Sequence, residues 1–322
     1  MDKALVLFSA TGDFKRELAG ALPGYGLIFD EDGNTDGISP DTAGDITVIF
    51  GNPGKDFIAR CPRLKWIQLQ SAGTDGYLNG EIGPEVLLSC ASGGYGHGVS
   101  EHMVAVTLQI VKKLHLYRDE QNRERWQGRG EVKSILGSTV LVVGLGDIGS
   151  EYAWRMKALG AYVVGVRRTA QPKSDYVDEL YLTDRLDELL PRADIVALIL
   201  PGIRETEGII NRERLARMKR GAVIVNAGRG SAIDTEALCD ALESGQIGGA
   251  GLDVTLPEPL PEGHRLWKLE GAVITPHIAG GRNMPETARH IMRLNLENAA
   301  RFVKGERLRS LVDLKTGYRV LE

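Results

Sequence analysis

TVLVVGLGDIGSEYAWRMKALGAYVVGVRRT, Thr139 to Thr169, contains one complete supersecondary unit. Thr139 to Val143 is an apolar, β-branched run, and Gly144, Gly146 and Gly149 form a GxGxxG turn. Tyr152, Met156 and Leu159 then recur at helical spacing before AYVVGV resumes a strand. Strand, glycine turn, helix and strand in this order are the context in which GxGxxG binds a dinucleotide. The first glycine permits the tight turn, the second lets backbone approach a pyrophosphate, and the third lets helix pack on strand. Helix-terminal N–H groups then meet the phosphate charge. The glycine-rich SGGYGHG, Ser92 to Gly98, lacks a third glycine at the required spacing and reads as a loop.

Downstream, Ile195 to Leu200, Val223 to Val225, Ala250 to Val254 and Val273 to Thr275 are further apolar strands. They alternate with helical patterns such as Thr235 to Ser244, and one doubly wound sheet accommodates all of them. Upstream, Ala4 to Phe8, Ile46 to Phe50, Leu64 to Leu69 and Val86 to Leu88 predict a smaller parallel α/β unit of about a hundred residues. Ser100 caps a linking helix carried to about Arg118, with Val104, Leu108, Val111 and Leu114 on one face. A long amphipathic segment, Glu286 to Lys304, is placed to return to the first unit, which would make that unit discontinuous.

With 322 residues, 43% of them hydrophobic and 25% charged, the chain is long enough for two domains with proper cores. A net charge of −4 without a long basic run argues against nucleic acid or an anionic membrane as partner and for a small molecule. Cys61, Cys90 and Cys239 are odd in number and widely spaced, which predicts free thiols in a reducing compartment and no metal site. No stretch approaches a membrane span or a secretion signal, so the expected location is the cytoplasm.

Three strands of the second half end in residues that bear chemistry: Asn226 to Gly230 after VIV, Asp253 to Glu258 after AGL, and Pro276-His277 after VIT. Carboxyl ends of parallel strands line the ligand crevice of a doubly wound sheet, so Arg229, Glu258 and His277 are predicted to converge there. In the first half Ser71-Ala72-Gly73-Thr74 follows the third strand, with small residues that leave backbone N–H groups open to an anion.

GLGDIG, NAGRG, LDV followed by EPLP, and TPHIAG, in this order and at these separations, resemble the D-isomer-specific 2-hydroxyacid dehydrogenase family. The resemblance covers nearly the whole chain, and glyoxylate or hydroxypyruvate reductases that prefer NADP are its nearest type. It implies an α/β chain in which a Rossmann-like doubly wound parallel sheet, residues 101–289, is inserted into a smaller discontinuous flavodoxin-like domain, residues 1–100 plus 290–322. By the same resemblance Arg229 holds the substrate carboxylate and polarises its keto oxygen, His277 is the acid/base, and Glu258 partners it. Ser71, Ala72, Gly73 and Thr74 receive the carboxylate. The implied cofactor contacts are Gly144, Gly146, Asp147, Ile148, Gly149, Arg167, Arg168, Thr169, Pro201, Thr206, Ala227, Asp253 and Gly280, and a homodimer is implied as well. The chemistry is consistent with those roles. Reduction of a 2-keto acid needs a proton donor that titrates near neutrality, which a histidine beside a carboxylate supplies, and arginine offers the carboxylate two parallel donors.

The second strand of the βαβ unit ends in Arg167-Arg168-Thr169, where NAD-type units commonly carry an acidic residue for the ribose. Two cations and a hydroxyl suit a 2′-phosphate, so NADP(H) is expected to be preferred, with NAD(H) a second cofactor if one arginine only stacks on the adenine. The loop Gly51-Asn52-Pro53 brings no arginine, which argues against a phosphorylated substrate and for a small 2-keto or 2-hydroxy acid with an uncharged side chain. The alternatives are a phosphoglycerate-dehydrogenase-like enzyme and a corepressor-like protein that binds the dinucleotide without turnover.

Overall fold

A computed structural model of the protein describes residues 1–78, 80, 82–281 and 284–320. The chain divides into two compact units, residues 1–95 with 285–322, and residues 96–284.

In the first unit, strands β1 (Lys3–Val6), β2 (Gly26–Phe29), β3 (Ile46–Phe50), β4 (Trp66–Gln68) and β5 (Leu87–Ser89) form a parallel sheet of order β2-β1-β3-β4-β5. This is the flavodoxin-like order. Helices α1 (Gly12–Ala21), α2 (Pro40–Asp45) and α3 (Lys55–Ile58) make the crossovers. Thr11 and Ser39 cap α1 and α2 by accepting from Phe14 N–H and Thr42 N–H. The long returning helix, here α10 (Pro285–Val303), joins this unit. Ala299 and Leu308 lie in one core with Ala4, Val6, Val48 and Phe50, and Phe302 packs against Trp66 at 4.9 Å between ring centroids.

In the second unit, helix α4 (Gly96–Val111) and α5 (Leu114–Asn122) precede a seven-stranded sheet. Its strands are β6 (Thr139–Val143), β7 (Tyr162–Arg167), β8 (Glu179–Leu182), β9 (Ile195–Leu198), β10 (Ala222–Asn226), β11 (Ile247–Leu252) and β12 (Ala272–Ile274). Their order, β12-β11-β10-β9-β6-β7-β8, is the doubly wound dinucleotide-binding order with one strand added beyond β11. Helix α6 (Asp147–Ala158) links β6 to β7, short α7 (Leu186–Leu189) follows β8, α8 (Arg212–Arg217) precedes β10, and α9 (Thr235–Glu243) links β10 to β11. Every pairing in both sheets is parallel, so the central strands are buried on both faces and read as unbroken apolar runs.

The structure departs from the sequence reading in two places. Strands β2 and β8 have no counterpart among the predicted strands, because they are edge strands without a fully buried run: all four residues of β2 and three of β8 are only half-buried. The linking helix starts four residues before Ser100 and breaks at Lys113, which is left-handed at φ 58. Gly96 to Gly98 therefore belong to its first turn, and Ser100 lies buried inside it, donating to His97 O at 2.9 Å. Its buried face is Val99, Met103, Val106 and Ile110, while Leu114 is 53% exposed. Apolar residues surround most of this helix, so periodicity cannot choose a face. Close packing does: a Cβ on Gly249 or Gly251 of β11 would sit 2.3 Å from Ile110 or Val106 respectively.

Candidate active site

The glycine turn after β6 separates what the protein needs for itself from what it leaves for a ligand. Gly144 is at φ +105, and a Cβ there would lie 2.3 Å from Ile199 O; one on Gly149 would lie 2.0 Å from Gly144 O. Both glycines are demanded by backbone packing. A Cβ on Gly146 would meet nothing within 4 Å, so its smallness answers to no neighbour in the protein and fits a cradle for pyrophosphate at the first turn of α6. Asp147 follows it, with its carboxylate turned toward Gly96 at the start of α4, and Ile148 is half-buried beside it. From the end of β7 the half-buried Arg167 reaches back to donate to Leu145 O at 3.3 Å; burial lowers its pKa below the ordinary guanidinium value. Arg168 is exposed and Thr169 half-buried. The loop after β9 is closed by Thr206 Oγ1, which donates to Pro201 O at 2.6 Å.

Arg229, Glu258 and His277 follow β10, β11 and β12, three adjacent strands, at their carboxyl ends. Asn226 shapes the first of these turns: its Nδ2 donates to Arg229 O at 2.8 Å and its Oδ1 accepts from Gly228 N–H at 3.0 Å. Gly228 and Gly230 are required because a Cβ would fall 2.6 Å from Leu200 N and 1.9 Å from Thr255 O, the loops on either side. Arg229 is half-buried and donates through Nη1 to Gly228 O at 2.7 Å. Ala227 and Gly280 are half-buried nearby in sequence to these residues.

His277 Nδ1 stands 2.6 Å from Glu258 Oε1. A carboxylate only accepts, so Nδ1 carries the proton and Nε2 remains the atom that exchanges one with a ligand. The imidazole is 51% and the carboxylate 41% exposed, which leaves the pair accessible. His277 sits in the left-handed region at φ 52, a conformation uncommon outside glycine that its neighbours must hold in place. Asp253, 6% exposed, supplies the constraint. Its Oδ1 accepts from Thr275 Oγ1 at 2.6 Å and Ile278 N–H at 3.0 Å, its Oδ2 from Ala279 N–H at 3.0 Å, and its carbonyl from His277 N–H at 2.8 Å. His102 Nε2 lies 3.0 Å from Thr275 Oγ1. LDV and TPHIAG mark Asp253 and Thr275 to Gly280 in the sequence, but that they grip one another, with His102 behind Thr275, is missed there because most of these bonds end on backbone N–H groups.

In the first unit, Ser71, Ala72 and Gly73 are half-buried and Thr74 buried, in the turn that follows β4. Elsewhere in the second unit, Glu236, Cys239 and His264 bring one potential metal-ligand atom each within 4.8 Å of the others, a grouping the cysteine spacing did not foretell. His264 Nδ1 accepts from Leu266 N–H at 3.2 Å, so its Nε2 bears the proton and faces Glu236 Oε1 at 3.1 Å. That histidine is used as a hydrogen-bonding bridge.

Residues 104–279 match the family described as "D-isomer specific 2-hydroxyacid dehydrogenase, NAD binding domain". The chain belongs to the D-isomer specific 2-hydroxyacid dehydrogenase family. Oxidoreductase chemistry and nicotinamide dinucleotide binding come with that membership. A D-isomer specific 2-hydroxyacid dehydrogenase from Xanthobacter autotrophicus Py2, solved with NADPH and MES, is 30% identical with a TM-score of 0.81, covering 99% of this chain and all (100%) of the other. The NADPH-dependent glyoxylate/hydroxypyruvate reductase of Sinorhizobium meliloti, solved with NADP and sulfate, is 27% identical with a TM-score of 0.83 and the same coverage of 99% and 100%. D-3-phosphoglycerate dehydrogenase of Mycobacterium tuberculosis is 36% identical over 226 residues, 69% of this dehydrogenase but 42% of that longer one. No helix among the described residues is long and apolar enough to cross a membrane.

Proposed function

We propose that this dehydrogenase reduces a small 2-keto acid with an uncharged side chain to the D-2-hydroxy acid, with NADP(H) preferred over NAD(H). The observation that carries the reading is the 2.6 Å His277–Glu258 pair at the carboxyl edge of the sheet that bears the glycine turn. The bound nicotinamide supplies a hydride to the carbonyl carbon. His277 Nε2 delivers the proton to the carbonyl oxygen, while Glu258 holds the ring by Nδ1 and balances the imidazolium before transfer. Arg229 pairs with the substrate carboxylate and polarises the keto oxygen, and the Ser71 to Thr74 turn is read as a receptor for a carboxylate. Supporting the cofactor preference are Arg167, Arg168 and Thr169 at the end of β7, where a carboxylate would repel a 2′-phosphate. The absence of an arginine from Gly51-Asn52-Pro53 supports an unphosphorylated substrate. A homodimer through the second unit is part of the proposal; its support is the exposure of Leu114 (53%), Trp126 (106%) and Leu136 (74%) there.

The deciding experiment is a panel of 2-keto acids run with NADPH and NADH on the parent chain and on Arg167→Asp. The parent should oxidise NADPH with at least one short keto acid. One charge-assisted contact to phosphate contributes about 1.5–3 kcal/mol, so the preference for NADPH should be roughly ten- to hundredfold and should collapse in the variant. Cofactor binding without turnover on any keto acid would favour the sensor reading, and an unchanged cofactor ratio in Arg167→Asp would defeat the reading of the two arginines. Sedimentation as a monomer at micromolar concentration would reject the dimer.

A further inference from the structure

The turn after β4 is held from behind by side chains that no motif singles out. Asn52 Oδ1 accepts from Gln70 N–H at 2.9 Å, and Asn52 Nδ2 donates to Ser71 Oγ at 2.8 Å. Ser71 Oγ in turn donates to Gly73 O at 2.8 Å. The Tyr95 hydroxyl donates to Gln70 O at 2.6 Å, and Ala91 N–H to Ser71 O at 2.9 Å. Carbonyls 70, 71 and 73 are therefore each engaged by a donor within the first unit.

In a trans peptide the carbonyl and the N–H of one plane point in opposite directions. Anchoring the carbonyls of Gln70, Ser71 and Gly73 thus aims the N–H groups of Ser71, Ala72 and Thr74 away from their anchors. Among the described residues, none of the N–H groups of Ser71, Ala72, Gly73 and Thr74 donates a hydrogen bond. Such a run of unused donors suits an anion. A carbonyl that accepts a hydrogen bond also makes the N–H of its own peptide a stronger donor. The relay Asn52 Nδ2–H to Ser71 Oγ–H to Gly73 O ends on the peptide whose N–H belongs to Thr74.

Two glycines deliver the clamps. Gly51 is at φ +144 with Leu7 Cβ 2.6 Å from where its own Cβ would be, and it sets the backbone that presents Asn52. A Cβ on Gly94 would strike Ile291 of α10 at 2.8 Å, so only glycine lets the segment carrying Tyr95 lie this close.

We infer that Asn52 and Tyr95 are positioning residues for substrate-carboxylate binding: they fix the direction and strength of the turn's N–H donors without touching the substrate. The inference rests on the reading of Ser71 to Thr74 as the carboxylate receptor.

Tyr95→Phe removes one hydroxyl and no packing. Asn52→Asp keeps the acceptor for Gln70 N–H but turns the Ser71 proton onto the new carboxylate, leaving Gly73 O without its donor. For the full chain, the keto-acid KM should rise about threefold to tenfold in Tyr95→Phe and further in Asn52→Asp. The kcat at saturation, the cofactor KM and the melting temperature should stay near the parent's. Oxalate, a carboxylate that cannot be reduced, should lose affinity in parallel when its binding is measured by calorimetry, which needs no turnover. Variants that match the parent within twofold in keto-acid KM and oxalate affinity overturn this inference and leave the dehydrogenase reading intact. Variants that lose kcat and melting temperature while KM holds overturn it too, since the residues would then be merely structural. A parent chain that neither reduces a keto acid nor binds oxalate overturns both.

Discussion

Asp253→Asn changes no more than one oxygen for one NH₂ group, yet it strikes the clamp that bends the chain at His277. The carboxylate accepts three hydrogen bonds, from Thr275 Oγ1, Ile278 N–H and Ala279 N–H, and is 6% exposed. Whichever way the new amide is turned, one buried donor faces another donor and goes unsatisfied, at a cost of about 1–3 kcal/mol; the surviving bonds fall from charge-assisted to neutral. The least costly arrangement points the amide nitrogen at Ala279 N–H and retains the two bonds to Oδ1. The total loss should then be roughly 2–4 kcal/mol. At roughly 2–4 °C per kcal/mol for a unit of this size, the melting temperature should drop by about 5–15 °C. With the loop free to leave the left-handed conformation at His277, the ring should separate from Glu258, and kcat should fall more than tenfold with cofactor affinity nearly unchanged. Differential scanning calorimetry together with steady-state kinetics provides the measurement. A variant that melts within a degree of the parent refutes the clamp. A raised cofactor KM at unchanged stability would instead assign Asp253 to the nicotinamide carboxamide.

Gly146→Ala should leave the apo protein's melting temperature unchanged and weaken dinucleotide binding at least tenfold, whereas Gly149→Ala, whose Cβ would lie 2.0 Å from Gly144 O, should destabilise the fold itself; equal melting temperatures for the two variants would contradict this division. Glu179 is held down to about 2 from an ordinary 4.5 by hydrogen bonding from Arg192 first and then from the Tyr181 and Tyr162 hydroxyls. A depressed carboxyl contributes stability above its unfolded value and loses it as pH falls through the folded one. Glu179→Gln should therefore be less stable than the parent near pH 7, with the gap closing between about 4.5 and 2, the two values that bound its titration. A gap that does not vary with pH would show that the carboxyl does not titrate as described.

Central strands were legible because burial on both faces forces unbroken apolar runs, and β3 and β6 begin and end where those runs do. Edge strands were not, since half-buried residues such as those of β2 carry no distinctive pattern. The glycine turn could be recognised but not apportioned: only three-dimensional packing separates Gly144 and Gly149, needed by the fold, from Gly146, which is not. Arg229, Glu258 and His277 stood out by their places after apolar runs. Asp253 was marked by LDV, but its hold on Ala279 N–H was not, and Asn52 and Tyr95 likewise act through backbone groups, contacts that leave no signature at fixed spacing. The phase of α4 escaped for the opposite reason, an excess of apolar residues that suits several faces at once.

That α10 completes the core of the first unit bears on how the chain is made. A ribosome releases residues 1–95 first, but the apolar surface around Trp66 and Ala4 is covered by Phe302 and Ala299, which emerge only after the entire second unit. The intervening 96–284 can close around its own core in the meantime, so assembly should run from the inserted piece outward, with the N-terminal sheet waiting half-covered. Docking of α10 then joins sequence neighbours of Ala4 to sequence neighbours of Ala299, contacts far apart along the chain and slow to be found by chain diffusion. A nascent chain stalled before residue 285 should accordingly present a protease-resistant second unit and a digestible N-terminal segment.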